Sequence, residues 1–184
     1  MMKKGFGVLL AGLLLLIAAA CSNNEGSDKK GKFELTSSAF KNGGRIDEKY
    51  TGANTNFPLA WNGAPKGTKS FAVFTVDLHP VADEWVHWVV IDLPADTKEL
   101  GENVSGTDQL PQGSKELGNS FGPKGYGGPT PPAGSGDHEY KTILYALDVE
   151  KLDIPDSVSY AGFSKLVESH VIEKTELSGF YENK

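Results

Sequence analysis

The sequence has a single cysteine, Cys21, so no disulfide can staple its fold, and its 184 residues must be held by a core of their own. It is also short of positive charge, with 18 Lys and Arg against 24 Asp and Glu. That balance argues against nonspecific attraction to nucleic acid or to acidic lipid surfaces. No motif for nucleotide or nucleic-acid binding occurs, and no segment repeats along the chain. The one long apolar run, Val8–Ala20, is too short and wrongly flanked for a stable membrane span. What remains is one domain of roughly 150 ordered residues.

The apolar run has another use. Lys3 and Lys4 precede it as a positive n-region, three alanines close it, and Cys21 follows. A small-residue run ending at a lone cysteine resembles a bacterial lipobox, with Ala18 where leucine is usual. Residues 1–20 are therefore expected to be a lipoprotein signal peptide. Cys21 becomes the lipidated mature N-terminus, and the chain is anchored to the extracytoplasmic face of a bacterial cell membrane. An ordinary secretory signal with a chance cysteine is the alternative. The stretch SNNEGSDKKGK (Ser22–Lys32) has no apolar residue to bury. Residues 21–32 thus read as lipidated cysteine and flexible tether, and 33–184 as the folded domain. Without Lys3 and Lys4, 16 basic side chains face 24 acidic ones, a net of −8.

The body reads as all-β with a helical end. SFAVFTV (Ser70–Val76) is apolar on both alternating faces, as a central sandwich strand would be. In WVHWVVIDL (Trp85–Leu93), strict alternation puts Trp85, His87, Val89 and Ile91 on one face and Val86, Trp88 and Val90 on the other. YKTILYALDV (Tyr140–Val149) is a third strand, and KFELTSSAF (Lys32–Phe40) alternates as a half-exposed one. Spacers rich in Gly, Pro, Asn and Asp separate them. SYAGFSKLVESHV (Ser159–Val171) has helical spacing with Ser159 as a cap, and VIEKTELSGFY (Val171–Tyr181) returns as a closing strand. The pattern predicts a two-sheet antiparallel β-sandwich with a C-terminal helix. Asp96–Gly125 has few apolar residues and no period; so long a stretch is expected to be functional or mobile.

Polar residues gather at the predicted strand ends. Asp77 follows the first core strand, His79 comes two residues later, and His87 lies among tryptophans and valines. YGGPTPPAGSGDHEY (Tyr126–Tyr140) carries four glycines and three prolines before His138 and Tyr140. Strand ends meet at one rim of a sandwich, where loops make sites. Each residue has a plainer use: His87 as a core histidine satisfied by one backbone carbonyl, Asp77 as a turn cap, His79 and His138 as surface residues. In the sharper reading His87, His138 and Tyr140 donate to an anion, and Asp77 accepts from a histidine. Gly128 and its neighbouring glycines turn backbone N–H groups inward, Pro131 and Pro132 stiffen the wall, and Trp85 with Trp88 gives apolar walls or core. The loop places His138 at the rim, so His138→Ala is expected to cost little stability, while His87→Ala costs more.

Two segments resemble the phosphatidylethanolamine-binding proteins, and within them the bacterial Raf kinase inhibitor-like group. VDLHPVADEWVHWVVIDLP (Val76–Pro94) is similar to that family's Asp-x-Asp-x-Pro segment and Trp-x-His-Trp strand. YGGPTPPAGSGDHEYKTILYAL (Tyr126–Leu147) is similar to its Gly-x-Pro-Pro-x-Gly…His-x-Tyr segment. The resemblance covers about residues 33–181. It implies a small pocket for an anion such as a lipid-headgroup phosphate, no cofactor, and possible modulation of a partner protein. His79 stands where the family's second aspartate falls, removing a negative charge and adding a donor.

Three rivals differ in class. Ser135, His138 and Asp77 have the residue types of a hydrolase triad, but GSG is no Gly-x-Ser-x-Gly elbow, and the sequence reads as a non-enzyme. His79, His87, His138 and Asp77 have zinc-ligand chemistry at no standard spacing, so no metal is assigned. An interaction protein inhibiting a protease or kinase through surface loops is the third. The anchor is directly testable. Cys21→Ser is expected to leave the protein unprocessed or released from the membrane. Membrane fractionation finding it bound at its processed size would refute the lipobox.

Overall fold

Ser70–Asp77 is buried at every position, and the next two long strands, Trp85–Pro94 and His138–Leu147, are nearly so. Such strands need cover on both faces. In the computed structural model, which describes residues 1–2, 31–52 and 55–184, they receive it. The signal segment, Cys21 and nearly all of the tether fall outside the described residues. No described helix is long and apolar enough to cross a membrane.

The strands are β1 (Glu34–Thr36), β2 (Gly44–Arg45), β3 (Leu59–Asn62), β4 (Ser70–Asp77), β5 (Trp85–Pro94), β6 (Glu99–Leu100), β7 (Lys115–Glu116), β8 (His138–Leu147) and β9 (Val171–Tyr181). The helix α1 spans Tyr160–Val167, and single 3-10 turns lie at Glu48–Tyr50 and Glu168–His170. One sheet has the order β1-β3-β6; the other has β2-β9-β8-β4-β5-β7. The architecture is the expected two-sheet sandwich with a short helix near its C-terminal end. All pairings within the sheets are antiparallel except β2 with β9. β9 has the expected limits but an inner place, between β8 and β2.

The large sheet has a core on each side. Phe71, Val73, Trp88, Val90 and Leu144 pack with Phe57, Leu59 and Trp61 of the chain that makes the small sheet. Phe74, Val76, Val86, Val89, Ile91 and Ile143 pack with Phe163 and Val167 of α1. Ser159 caps that helix by accepting from the Gly162 N–H, satisfying one of the four donors a helix start leaves open. β1 is shorter than the alternation suggests. The Ser37 hydroxyl donates to the Pro58 carbonyl (2.6 Å) and accepts from the Ala39 N–H (3.1 Å), turning the chain away.

Strict alternation also fails in β5. Across from β4, Thr75 pairs with Trp88 and Val76 with Val86, so His87 is an extra residue with no partner. A second irregularity near Asp92, at φ 62°, shifts the register again. Val86, Val89 and Ile91 therefore share the helix-side core while Trp88, Val90 and Leu93 share the other. The expected faces, with Val86 beside Trp88 and Val90, are corrected by these bulges.

Asp96–Gly125 is irregular but pinned. Glu116 accepts from the Trp88 indole (2.7 Å), the Ser105 hydroxyl (2.6 Å) and the Gly106 N–H (2.8 Å). Asn56, fully buried, donates to the Phe57 and Gly101 carbonyls and accepts from the Val104 and Ser105 N–H groups. Asn56→Ala would orphan four backbone groups at once, so a destabilisation of about 3 kcal/mol is expected in urea melts. A loss under about 1 kcal/mol would show that water replaces the amide.

Candidate functional site

Asp77 closes β4, and the register sets it opposite Trp85 of β5 and Tyr140 of β8. Three adjacent strands thus bring a carboxylate, an indole and a phenol to one end of the sheet. The β5 bulge adds His87, turning its ring toward Tyr140 (ring centroids 5.0 Å apart, edge to face). His138 begins β8.

The polar groups are tied tightly. Asp77 Oδ2 accepts from His138 Nδ1 at 2.6 Å, and Oδ1 accepts from the His79 backbone N–H at 2.9 Å. His138 Nε2 lies 2.9 Å from the Ser135 hydroxyl. The His79 ring stacks on His138 with centroids 3.9 Å apart, and its Nδ1 accepts from the Val81 N–H. His87 Nδ1 donates to the Gly127 carbonyl at 2.6 Å, which leaves Nε2 as its free nitrogen.

A cavity of about 230 Å³ lies among these residues. Asp77, His87, His138, Tyr140 and Thr130 give it polar groups; Val81, Ala82, Trp85, Phe121, Pro131 and Pro132 give it apolar walls. Burial lowers the proton affinity of His87 more than the Gly127 carbonyl and the Asp77 charge raise it, so its imidazole is neutral near pH 7. Burial, helped by Asp77, pushes the Tyr140 phenol far above its usual range, so it stays a neutral donor. Its hydroxyl is buried and has no partner at full hydrogen-bond geometry; Asp77 comes near enough for a weak hydrogen bond and a charge effect only.

Seven of the nine residues expected at a site line this cavity: Asp77, Trp85, His87, Pro131, Pro132, His138 and Tyr140. His79 supports it from outside, through its stack on His138 and its N–H on Asp77. Gly128 lines an adjoining depression instead, with Gly127, Lys124 and Tyr126. Trp88 belongs to the core, its indole bound to Glu116. The glycine N–H groups are less free than expected: Gly127 donates to the His87 carbonyl and Gly134 to the Asn183 carbonyl. His138 is corrected most. It is fully buried rather than at an open rim, and both ring nitrogens are engaged, leaving no donor to spare. The only arginine, Arg45, is paired with Asp137 and Glu182.

The sequence reading missed Phe121. Asn119 holds its turn, accepting from the Phe121 N–H and donating to the Gly125 carbonyl. The ring lies so close to Gly127 that a Cβ there would fall 2.5 Å from it, which is why residue 127 has no side chain. A lone aromatic in the polar stretch Asp96–Gly125 was the available signal. Among the described residues no group of three or more His, Cys, Asp or Glu is placed to hold a metal ion.

The chain has known relatives. The family model described as phosphatidylethanolamine-binding protein matches residues 36–182, and the chain belongs to that family. A UPF0098 protein of Methanothermobacter thermautotrophicus is 40% identical over 149 residues, covering 80% of this chain and 97% of that protein. A Mycobacterium tuberculosis relative named as a lipoprotein, LppC, is 31% identical over 150 residues, covering 80% of this chain and 71% of that one. The crystal structure of Escherichia coli YbcL, described as a new member of the mammalian PEBP family, is similar with a TM-score of 0.77 at 32% identity. It covers 83% of this chain and 99% of that one.

The burial of His138 reverses the expected order of stabilities. His138→Ala leaves the buried Asp77 without its main partner and should cost about 3 kcal/mol or more. His87→Ala, which loses one carbonyl bond and some packing, should cost about 1–3 kcal/mol. Urea melts of both variants check this; a His138→Ala protein melting with the wild type would contradict it.

Proposed function

We propose that the chain is a membrane-anchored, extracytoplasmic binding protein whose cavity takes a small anion, either free phosphate or the phosphate of a lipid headgroup. One observation carries the reading. The Tyr140 hydroxyl is buried beside the cavity with no partner better than a weak approach to Asp77, and a hydroxyl left so poorly satisfied costs up to about 1–3 kcal/mol unless something binds it. An acceptor oxygen in the cavity would relieve that cost. Protonated His87 Nε2 is a second candidate donor, while His138 and Ser135 hold Asp77 and the wall in place. The apolar side walls suit a ligand with carbon attached to its anionic group. The lipobox supports the anchor, and the likeness to a relative named as a lipoprotein agrees with it. In this reading the cavity holds its ligand without turning it over.

A second reading has its own support. Val81, Trp85 and Phe121 are 62%, 39% and 45% exposed and surround the cavity mouth. Such an apolar collar fits contact with a partner protein, whose activity the chain would modulate through its surface loops.

The anion reading has two measurable consequences. Tyr140→Phe should weaken phosphate binding about tenfold or more in calorimetry. It should leave the urea midpoint unchanged or raised, because an orphan hydroxyl is removed. The pH dependence follows from His87. Its folded-state pKa is lowered, so above that value the anion must bring a proton with it. Affinity should therefore fall about tenfold per pH unit as pH rises above the lowered pKa, and level off below it. Sulfate, whose own charge is constant there, is the probe for this series. Flat affinity would remove His87 from binding; no binding of phosphate, sulfate or phosphoethanolamine would remove the anion. Tighter phosphoethanolamine than phosphate would assign the headgroup.

A further inference from the structure

Asp77 Oδ2, His138 Nδ1, His138 Nε2 and Ser135 Oγ form a continuous chain with gaps of 2.6 Å and 2.9 Å. Asp77 and His138 lie 61 positions apart and meet through the antiparallel pairing of β4 with β8, while Ser135, three positions from His138, is brought in by the turn before β8. Asp77 is fixed at its other oxygen by the His79 N–H, so the carboxylate cannot turn away. This is the connectivity by which a carboxylate orients an imidazole to take a proton from a serine.

The hydroxyl has two acceptors in reach, Pro132 O at 2.6 Å and His138 Nε2 at 2.9 Å, and one hydrogen to give. The shorter contact, to Pro132, closes the turn, and the longer one holds Oγ against Nε2. If His138 is neutral, with its proton on Nδ1 toward Asp77, the hydroxyl donates to Nε2 and the serine is activated. Ser135 is half-buried, on a turn flanked by Gly134 and Gly136 at φ 74° and 87°. Among the described residues no hydrogen bond occupies the N–H of Gly136, the residue after Ser135.

We propose that Ser135 is an activated nucleophile, with His138 as its base and Asp77 as the positioning residue, and that it accepts an acyl group from an activated ester. Ser135 Oγ bonds to the carbonyl carbon, the ester C–O bond breaks, and the serine proton passes to His138 Nε2 and on to the departing oxyanion. The same relay takes a phosphonyl group from a fluorophosphonate, with fluoride leaving. The groups around the His138 imidazole are Asp77, His79, His87, Tyr140, Ser135 and, across the strand pair, Tyr181. Among them Asp77 occupies Nδ1, which leaves Nε2 as the nitrogen that faces Ser135.

The probe is an alkyl fluorophosphonate, with the adduct located by peptide mass mapping on the full chain. One adduct on Ser135, absent in Ser135→Ala, is the expected result. Asp77→Asn should slow it roughly 100-fold or more. Because that buried substitution can unfold the protein, Ser135→Cys gives a second test. Its thiol should react with iodoacetamide well below the ordinary thiol pKa of about 8.5, through a thiolate–imidazolium pair. No adduct, an adduct that survives Ser135→Ala, or an ordinary thiol profile in Ser135→Cys would overturn the proposal. The readout is independent of phosphate binding, so either reading can fail alone.

Discussion

The carboxylate of Asp77 is the constraint around which this end of the molecule is built. Buried at the end of a central strand, it would cost several kcal/mol if left unpaired. Both oxygens are therefore met, one by a backbone N–H and one by His138. Meeting them fixes much else. His138 must begin β8, the turn before it must bring Ser135 to the far nitrogen, and His79 must fold back over the imidazole face. The glycines at 134 and 136 are needed because that turn passes through the left-handed region twice.

The second constraint is the cover on both faces of the large sheet. It makes β4 apolar throughout and leaves only the strand ends free to carry polar groups. β5 escapes by a bulge, which lets a histidine leave an otherwise apolar strand toward the cavity without opening the core beneath it. The Gly127–Phe121 contact then closes the side that the bulge exposes.

Much of this was legible in the residues. The continuous apolar run of Ser70–Val76, the Ser159 cap and the alternation of Val171–Tyr181 predicted elements that exist, because each depends on local chemistry. The gathering of Asp77, His87, His138 and Tyr140 was legible because strand ends must meet. What could not be read depends on register. Alternation assumes one residue per pleat, so the extra residue at His87 was invisible and Val86 was given the wrong face. The Gly/Pro loop suggested an exposed His138, but burial is decided by Asp77 and His79, which arrive from elsewhere in the chain. Phe121 lay in a stretch with no period, where its role depends on a missing Cβ at Gly127.

Four of the cavity's five polar residues, Asp77, His87, His138 and Tyr140, come from β4, β5 and β8, neighbours in the middle of one hydrogen-bonded sheet. Their spacing is that of the ladder itself and does not wait for a loop to settle. Val81, Ala82, Phe121, Thr130, Pro131 and Pro132 come from loops, so the sheet fixes how far apart those four polar residues stand and the loops alone decide how wide the space around them is.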